Sequence, residues 1–247
     1  MRLFFALVLF FLPALSAAEP GCFELRTYHA AEGKLDALEA RFRDHTVALF
    51  EKHGMTNVAY WTPIENSGQT LVYLLAYPDR AAREASWKAF LADPVWQAAK
   101  AESEKEGKLV AKVESLFLHR TDYSPALPIA AGKGPRVFEM RVYTTRPGKL
   151  TTLDQRFREH TLDLFAKHGM TNLPYFHLDE GQPGAENTLL YFLAHDSAEA
   201  QKASFDAFRA DPAWIAARDA SEQPGKILVD QGVVSTLLQA TDYSPLK

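Results

Sequence analysis

Apolar and polar residues alternate along Phe23–Tyr28, and this period of two predicts a β-strand. Apolar residues then recur at helical spacing from Leu35 to Leu49, and predict an amphipathic helix that Gly54 ends. Further patterns predict two strands, a second helix with a helical continuation, and a last strand: Val58–Thr62, Thr70–Tyr77, Ala81–Leu91, the piece that begins at Asp93-Pro94, and Val113–His119. The predicted order is β-α-β-β-α-β, the ferredoxin-like split motif.

The same pattern returns 115 positions later along the chain. Phe23–Tyr28 corresponds to Phe138–Tyr143, and 13 of the 17 residues from Arg41 to Asn57 are identical in Arg156–Asn172. A period of more than a hundred residues indicates a duplicated domain, because solenoid units repeat every ~20–50 residues. The second copy is predicted to contain the corresponding later elements: Leu173–His177, Thr188–His195, Ala198–Phe208, a helix that begins at Asp211-Pro212, and Val233–Leu238.

The first 18 residues resemble a secretory signal peptide. An apolar run from Leu3 to Leu15 precedes the small residues Ser16-Ala17-Ala18, which suit a signal peptidase. An uncleaved N-terminal anchor is the alternative. We therefore expect an exported protein, periplasmic or extracellular.

The remaining chain is predicted to form two domains, over residues 19–125 and 136–247. Residues 126–135 between them are rich in Pro, Gly and Ala, and have the composition of a linker. Each domain is large enough for one hydrophobic core.

Composition excludes several classes of protein. Cys22 is the only cysteine, so no disulfide can form within the chain. The formal net charge of −4 gives no basic surface for nucleic acid. No long apolar stretch follows the signal segment, so we expect no membrane association after cleavage. Motifs for metals, nucleotides and nucleophilic serines are missing, and we expect neither a cofactor nor a metal.

Several short motifs together carry a family resemblance. They are the strand Phe-Glu-x-Arg-x-Tyr, the turn Gly-Lys-Leu, the helix segment through Lys-His-Gly, Ala-Asp-Pro-x-Trp at Ala92–Trp96 and Ala210–Trp214, and a closing Tyr-Ser-Pro. Each half resembles a NIPSNAP domain, a member of the dimeric α+β barrel group. In that group two ferredoxin-like sheets form a barrel, normally from two chains. The resemblance implies an α+β fold in which the two halves of this chain pair as an intramolecular pseudo-dimer. The barrel is then complete within one monomer.

The first strand of each copy has one polar face, which we expect to point into the barrel if helices cover the apolar face. Two acids, two guanidiniums and two phenols would then meet there: Glu24, Arg26, Tyr28, Glu139, Arg141 and Tyr143. One interpretation is a pocket that binds an anionic or phenolic ligand. The other is a self-satisfied ion-pair network, since Glu and Arg two residues apart on one strand face can pair.

A histidine occupies the same place on the first helix of each copy, at the edge of the apolar face. These residues are His45 and His160. Related barrel enzymes, including oxygenases and haem-degrading monooxygenases, hold their substrate between sheet and helices, and the resemblance suggests each histidine as a base or an axial ligand there. The alternative is a structural histidine that donates to a backbone carbonyl, or to Glu24 or Glu139.

Three functions remain open from the sequence. The first is binding of a small apolar or aromatic molecule in the barrel cavities. The second is a cofactor-independent monooxygenase that uses His45 or His160 as base, with Tyr28 or Tyr143 orienting the substrate. The third is a protein-interaction module without a ligand. An open pocket favours the first two, and a packed interior favours the third.

Overall fold

The computed structural model describes residues 19–126 and 136–247. The predicted signal peptide and all but the first residue of the predicted linker lie outside the described residues. The first half contains β1 (Cys22–Ala30), α1 (Leu35–Arg41), α2 (Val47–Lys52), β2 (Thr56–Pro63), β3 (Thr70–Tyr77), α3 (Arg80–Ala92), α4 (Pro94–Ser103) and β4 (Val110–Arg120). No helix in the described ranges is long and apolar enough to cross a bilayer.

The second half repeats this order. It contains β5 (Val137–Thr145), α5 (Leu150–Arg156), α6 (Leu162–Lys167), β6 (Thr171–Leu178), β7 (Thr188–His195), α7 (Ala198–Ala210), α8 (Pro212–Glu222) and β8 (Leu228–Ala240). The predicted strands and second helices fall inside these elements. The predicted helix stops are also present, since Gly54 and Gly169 have φ values of 78° and 79°, a conformation that glycine adopts without strain.

The first helix of each half contains one turn of π-helix, which the periodicity did not predict. Phe42–Thr46 separates α1 from α2, and Phe157–Thr161 separates α5 from α6. The Thr46 hydroxyl donates to the carbonyl oxygen of Arg41 at 3.1 Å, five residues earlier. A π-turn holds more residues than an α-turn, so the residues that follow are rotated about the helix axis.

Eight antiparallel strands form one closed barrel, in the order β1-β3-β2-β8-β5-β7-β6-β4. The two halves join twice. Trp61–Pro63 of β2 pairs with Leu238–Ala240 of β8, and Leu118–Arg120 of β4 pairs with Phe176–Leu178 of β6. The predicted α+β class with a barrel built from both halves is confirmed.

The barrel interior is filled by apolar side chains from both halves. Phe23 packs on Phe176 with ring centroids 5.1 Å apart, and Trp61 stacks on Phe192 at 5.0 Å. An eight-stranded barrel is just wide enough for side chains to fill. The prediction that the polar face of β1 and β5 points into the barrel is therefore wrong, because the apolar face takes that place.

Candidate functional site

The polar face of β1 lies on the outside of the barrel, beneath the helices of the first half. Glu24 is fully buried there, and Arg26 and Tyr28 follow it on the same side of the strand. The equivalent residues of β5 lie beneath the helices of the second half. The six predicted residues therefore form two separate sites, one for each half, and do not meet at a central axis.

Glu24 accepts hydrogen bonds from five side chains. Arg83 on α3 donates through Nη2 at 2.7 Å and Nε at 2.9 Å, and Ser115 on β4 donates at 2.6 Å. The Trp87 indole donates at 3.2 Å, and Arg26 pairs with the same carboxylate. The fifth donor is a tyrosine hydroxyl, that of Tyr77 at 3.3 Å.

These contacts keep Glu24 ionised. Burial opposes ionisation, but the Arg83 hydrogen bond, the Arg26 charge and the Ser115 hydroxyl outweigh it and lower the pKa of Glu24 from 4.5 to about 2. The pair of Glu24 and Arg26 that the network interpretation predicted is present, with Arg83 as a second cation.

Arg26 is held between tyrosines and a tryptophan. Its Nε donates to the Tyr73 hydroxyl at 2.9 Å, and its Nη2 lies 3.4 Å from the Tyr28 hydroxyl. Its guanidinium carbon lies 4.3 Å from the centre of the Trp87 ring, a cation–π distance. The guanidinium has five N–H groups, so these bonds do not use all of its donors, and Arg26 lines the space beside it.

That space is a cavity of about 800 Å³ between the helices and the outer face of the first sheet. Aromatic side chains and buried arginines form its inner wall, including Tyr28, Phe42, Phe50, Trp87, Phe90, Trp96, Arg26, Arg41 and Arg83. Exposed residues at its outer side include Lys88, Leu91, Lys100, Lys108 and Val113. It therefore combines a large apolar surface with several cations.

The second half keeps the buried carboxylate but changes its partners. Glu139 pairs with Arg141, and accepts from Ser235 at 2.5 Å. His195 lies 3.0 Å from it through Nε2, at the place of Tyr77, and the buried His195 Nδ1 has no hydrogen-bond partner among the described residues. Burial opposes ionisation here too, but His195, Arg141 and Ser235 lower the pKa of Glu139 to about 2. Gln201 stands where the first half has Arg83.

Arg141 has the same surroundings as Arg26. Its Nε donates to the Tyr191 hydroxyl at 2.9 Å, and its Nη2 donates to the Tyr143 hydroxyl at 3.1 Å. It lies over Phe205, which replaces Trp87, at 4.5 Å. The first-strand residues thus form equivalent networks in both halves. The differences come from the covering helix and from the last residue of the neighbouring strand, Tyr77 in β3 and His195 in β7.

His45 and His160 are exposed, and the prediction that they project between sheet and helices is wrong. His45 borders a surface groove with Pro94 and Val95, and His160 borders a cleft with Arg156 and Ser221. Thr46 and Thr161, the next residues along the chain, are buried in their place. Neither histidine therefore lies where it could act as a base on a ligand between the sheet and the helices.

Two further histidines, His53 and His168, lie at the C-terminal ends of α2 and α6. His53 lies 2.7 Å from Asp93, which also contacts Lys52 at 2.7 Å and caps α4 by accepting from the Val95 amide at 2.8 Å. His168 makes the same contact with Asp211. Within residues 19–126 and 136–247, no group of three or more His, Cys, Asp or Glu side chains could hold a metal ion.

The relationship to known proteins follows from a family model. The NIPSNAP model matches residues 23–125 and 138–245, nearly all of both halves. The chain belongs to the NIPSNAP family. Among solved structures, a NIPSNAP domain protein from Burkholderia xenovorans is similar to it, with 25% identity over 42% of this chain and 98% of its own, and a TM-score of 0.38.

Two other structures align with nearly the whole NIPSNAP chain. A proposed monooxygenase from Lactobacillus acidophilus NCFM is 11% identical over 90% of this chain and 94% of its own, with a TM-score of 0.56. An anthrone oxidase-like protein is 12% identical over 92% and 94%, with a TM-score of 0.53. At these identities the likeness shows the fold alone. No curated protein matches the sequence significantly.

Sequence reasoning missed the helix residues of this NIPSNAP site. Arg83 and Trp87 are four residues apart on α3, and therefore share the helix face that meets the sheet. Arg41 was also missed; it is buried in the cavity wall, pairs with Glu104 at 2.9 Å and lies over Trp96. An arginine within the apolar face of a predicted helix was the available signal.

Proposed function

We propose that this NIPSNAP protein binds a small molecule with a largely apolar or aromatic body in the cavity of its first half. The observation that carries the proposal is the cavity itself, about 800 Å³ with a wall of aromatic rings. Ligand sites in proteins are typically ~300–1,000 Å³, mostly apolar, with a few polar groups that fix orientation. The site lies between sheet and helices, since the barrel interior is packed.

Arg26 and Tyr28 supply the polar groups of this proposed site. Both line the cavity, and the bonds of Arg26 to Glu24 and Tyr73 hold its guanidinium in one orientation. A ligand can bind the remaining donors without breaking this network. The Trp96 ring, which lines the same cavity and is partly exposed, adds flat apolar surface.

The monooxygenase alternative has less support. It rests on a fold shared with proteins that are 11% and 12% identical, and a shared fold does not establish a shared reaction. The histidines named as bases lie outside the cavity. The cavity also weighs against an interaction module without a ligand.

Three further expectations from the sequence are also proposals. We propose that each repeat is ferredoxin-like, that the protein is exported to the periplasm or the extracellular space, and that it is monomeric as a pseudo-dimer. Light scattering on the purified mature chain should give the mass of one chain, and a stable dimer mass would contradict the last of these.

A pair of matched variants tests the cavity. Val113 lines it and is 44% exposed, and Val233 is its exposed equivalent on β8. Val113→Trp should place an indole in the cavity without disturbing the core, and should weaken binding of the neutral probe 2-naphthol, measured by calorimetry. Val233→Trp should leave binding unchanged. Equal effects of the two variants, or a wild-type protein that does not bind the probe, would contradict the proposal.

A further inference from the structure

We infer that the ligand of the first half is an organic acid, with an apolar or aromatic body and one anionic group, and that the second half does not bind it. The inference rests on the proposed function of the first-half cavity. Three differences between the duplicated halves support it.

The first difference is the charge balance of the buried network. In the first half the carboxylate of Glu24 is shared by two guanidiniums, those of Arg26 and Arg83, whose side chains are only 12% and 14% exposed. In the second half Gln201 replaces Arg83, and Glu139 is balanced by Arg141. Arg83 also contacts Glu84 at 3.1 Å, but that carboxylate is 59% exposed, so the buried part of this network has two guanidiniums and one carboxylate.

The second difference is at the outer side of the cavity. Lys88, Lys100 and Lys108 line it, and none of them has a carboxylate within 4.0 Å in the described parts of the chain. Three unpaired ammonium groups next to one cavity raise the local positive potential, although the whole chain carries a formal net charge of −4.

The corresponding cations of the second half are paired with acids. Asp206 stands where the first half has Lys88, and it binds Lys202 at 2.8 Å and Arg209 at 2.7 Å. Arg218 and Lys226, the equivalents of Lys100 and Lys108, lie 2.8 Å from Asp219 and 3.6 Å from Asp230. Their charges are therefore largely neutralised.

The third difference is the exposed apolar surface beside the lysines. Leu91 lines the first cavity and is 55% exposed, whereas Arg209 occupies its place in the second half. An apolar body would cover Leu91 and the aromatic wall, while the acid group is attracted by the lysines and arginines. This pairing of apolar and cationic surface fits an amphiphilic acid better than a neutral molecule.

Calorimetry with 2-naphthoate and 2-naphthol, which differ in their charge at neutral pH, tests the inference on the full mature chain at low salt. Because single exposed charges contribute little and several together contribute more, we expect 2-naphthoate to bind about tenfold tighter. The triple variant Lys88→Gln, Lys100→Gln and Lys108→Gln should remove this preference by weakening the binding of 2-naphthoate to about that of 2-naphthol.

The matched control makes the same change of net charge in the second half, with Lys202→Gln, Arg218→Gln and Lys226→Gln. It should keep the preference. Equal affinity of the wild-type protein for both probes, or equal loss in both triple variants, would overturn the inference and leave the proposed cavity site standing. Failure of the wild-type protein to bind either probe would overturn both.

Discussion

One buried carboxylate in each half organises the residues around it. Glu24 and Glu139 occupy equivalent positions, and each collects donors from its own strand, a neighbouring strand and, for Glu24, the covering helix. Buried charges persist only when they are paired and hydrogen-bonded. The partners differ, and this difference makes the two halves respond differently to the same substitution.

Replacing the strand arginine should cost more stability in the second half. Arg141→Met leaves Glu139 with no guanidinium, and loss of one partner of a buried pair typically costs ~3–5 kcal/mol. Arg26→Met should cost less, because Arg83 still balances Glu24. Urea unfolding of both variants measures the difference.

The double variant Glu24→Gln/Arg26→Met should lose less stability than the sum of the losses in the two single variants. If Arg26→Met instead raised the stability of the ligand-free protein, the Arg26 charge would be destabilising without a ligand, as expected of a ligand-binding residue.

The two carboxylates also predict how stability depends on pH. Their pKa values are lowered to about 2 in the folded protein, so each stabilises the fold above the ordinary value of 4.5. That contribution, on the order of 3 kcal/mol for each, is lost progressively as the pH falls from about 4.5 to about 2. Urea unfolding between pH 7 and pH 2.5 should show this decrease. Glu24→Gln should flatten the curve, and an unchanged slope in that variant would contradict the assignment.

At the scale of elements, the strands were predictable and the orientation of their faces was not. A period of two locates β1 and β5 from sequence alone, but both faces of β1 are buried, so polarity does not tell which face enters the barrel. The helix stops at Gly54 and Gly169 were also predictable. The π-turns were not, since an insertion that changes the helical register leaves the apolar spacing nearly helical.

The π-turn makes a prediction of its own. Thr46→Val keeps the size and shape of the side chain but removes the hydroxyl that donates to the Arg41 carbonyl. The loss of one buried hydrogen bond should cost ~1 kcal/mol of stability. Thr161→Val should cost about as much, since Thr161 makes the same bond to Arg156 at 3.1 Å. Thermal unfolding of both variants checks this, and a neutral effect in either half would show that the hydroxyl does not maintain the turn.

At the scale of the whole molecule, duplication explains how one chain closes the eight-stranded barrel by itself. The family resemblance, together with the repeat, implied this closure, and the structure joins the halves at β2–β8 and β4–β6. The candidate site was predicted only in part. Arg26 and Tyr28 line a cavity on the outer face of the sheet, not inside the barrel where the ligand interpretation placed them. The helix residues of the site do not follow from strand patterns.

The tryptophan side chains can report where a ligand binds in the molecule. The chain has four tryptophans, which lie in three different parts of the structure. Trp87 and Trp96 line the first-half cavity, Trp61 lies in the barrel interior, and Trp214 packs on Phe208 in the second half. Their indole N–H signals can be resolved and assigned by single Trp→Phe variants.

The most direct test of the proposed site is an indole ¹⁵N NMR titration of the mature chain with 2-naphthol. Ring currents from a bound naphthalene act over short distances, so the signals of Trp87 and Trp96 should shift while those of Trp61 and Trp214 stay in place. Shifts of Trp61 or Trp214 as large as those of the cavity pair, or no shift at any of the four, would contradict a ligand site between the first sheet and its helices.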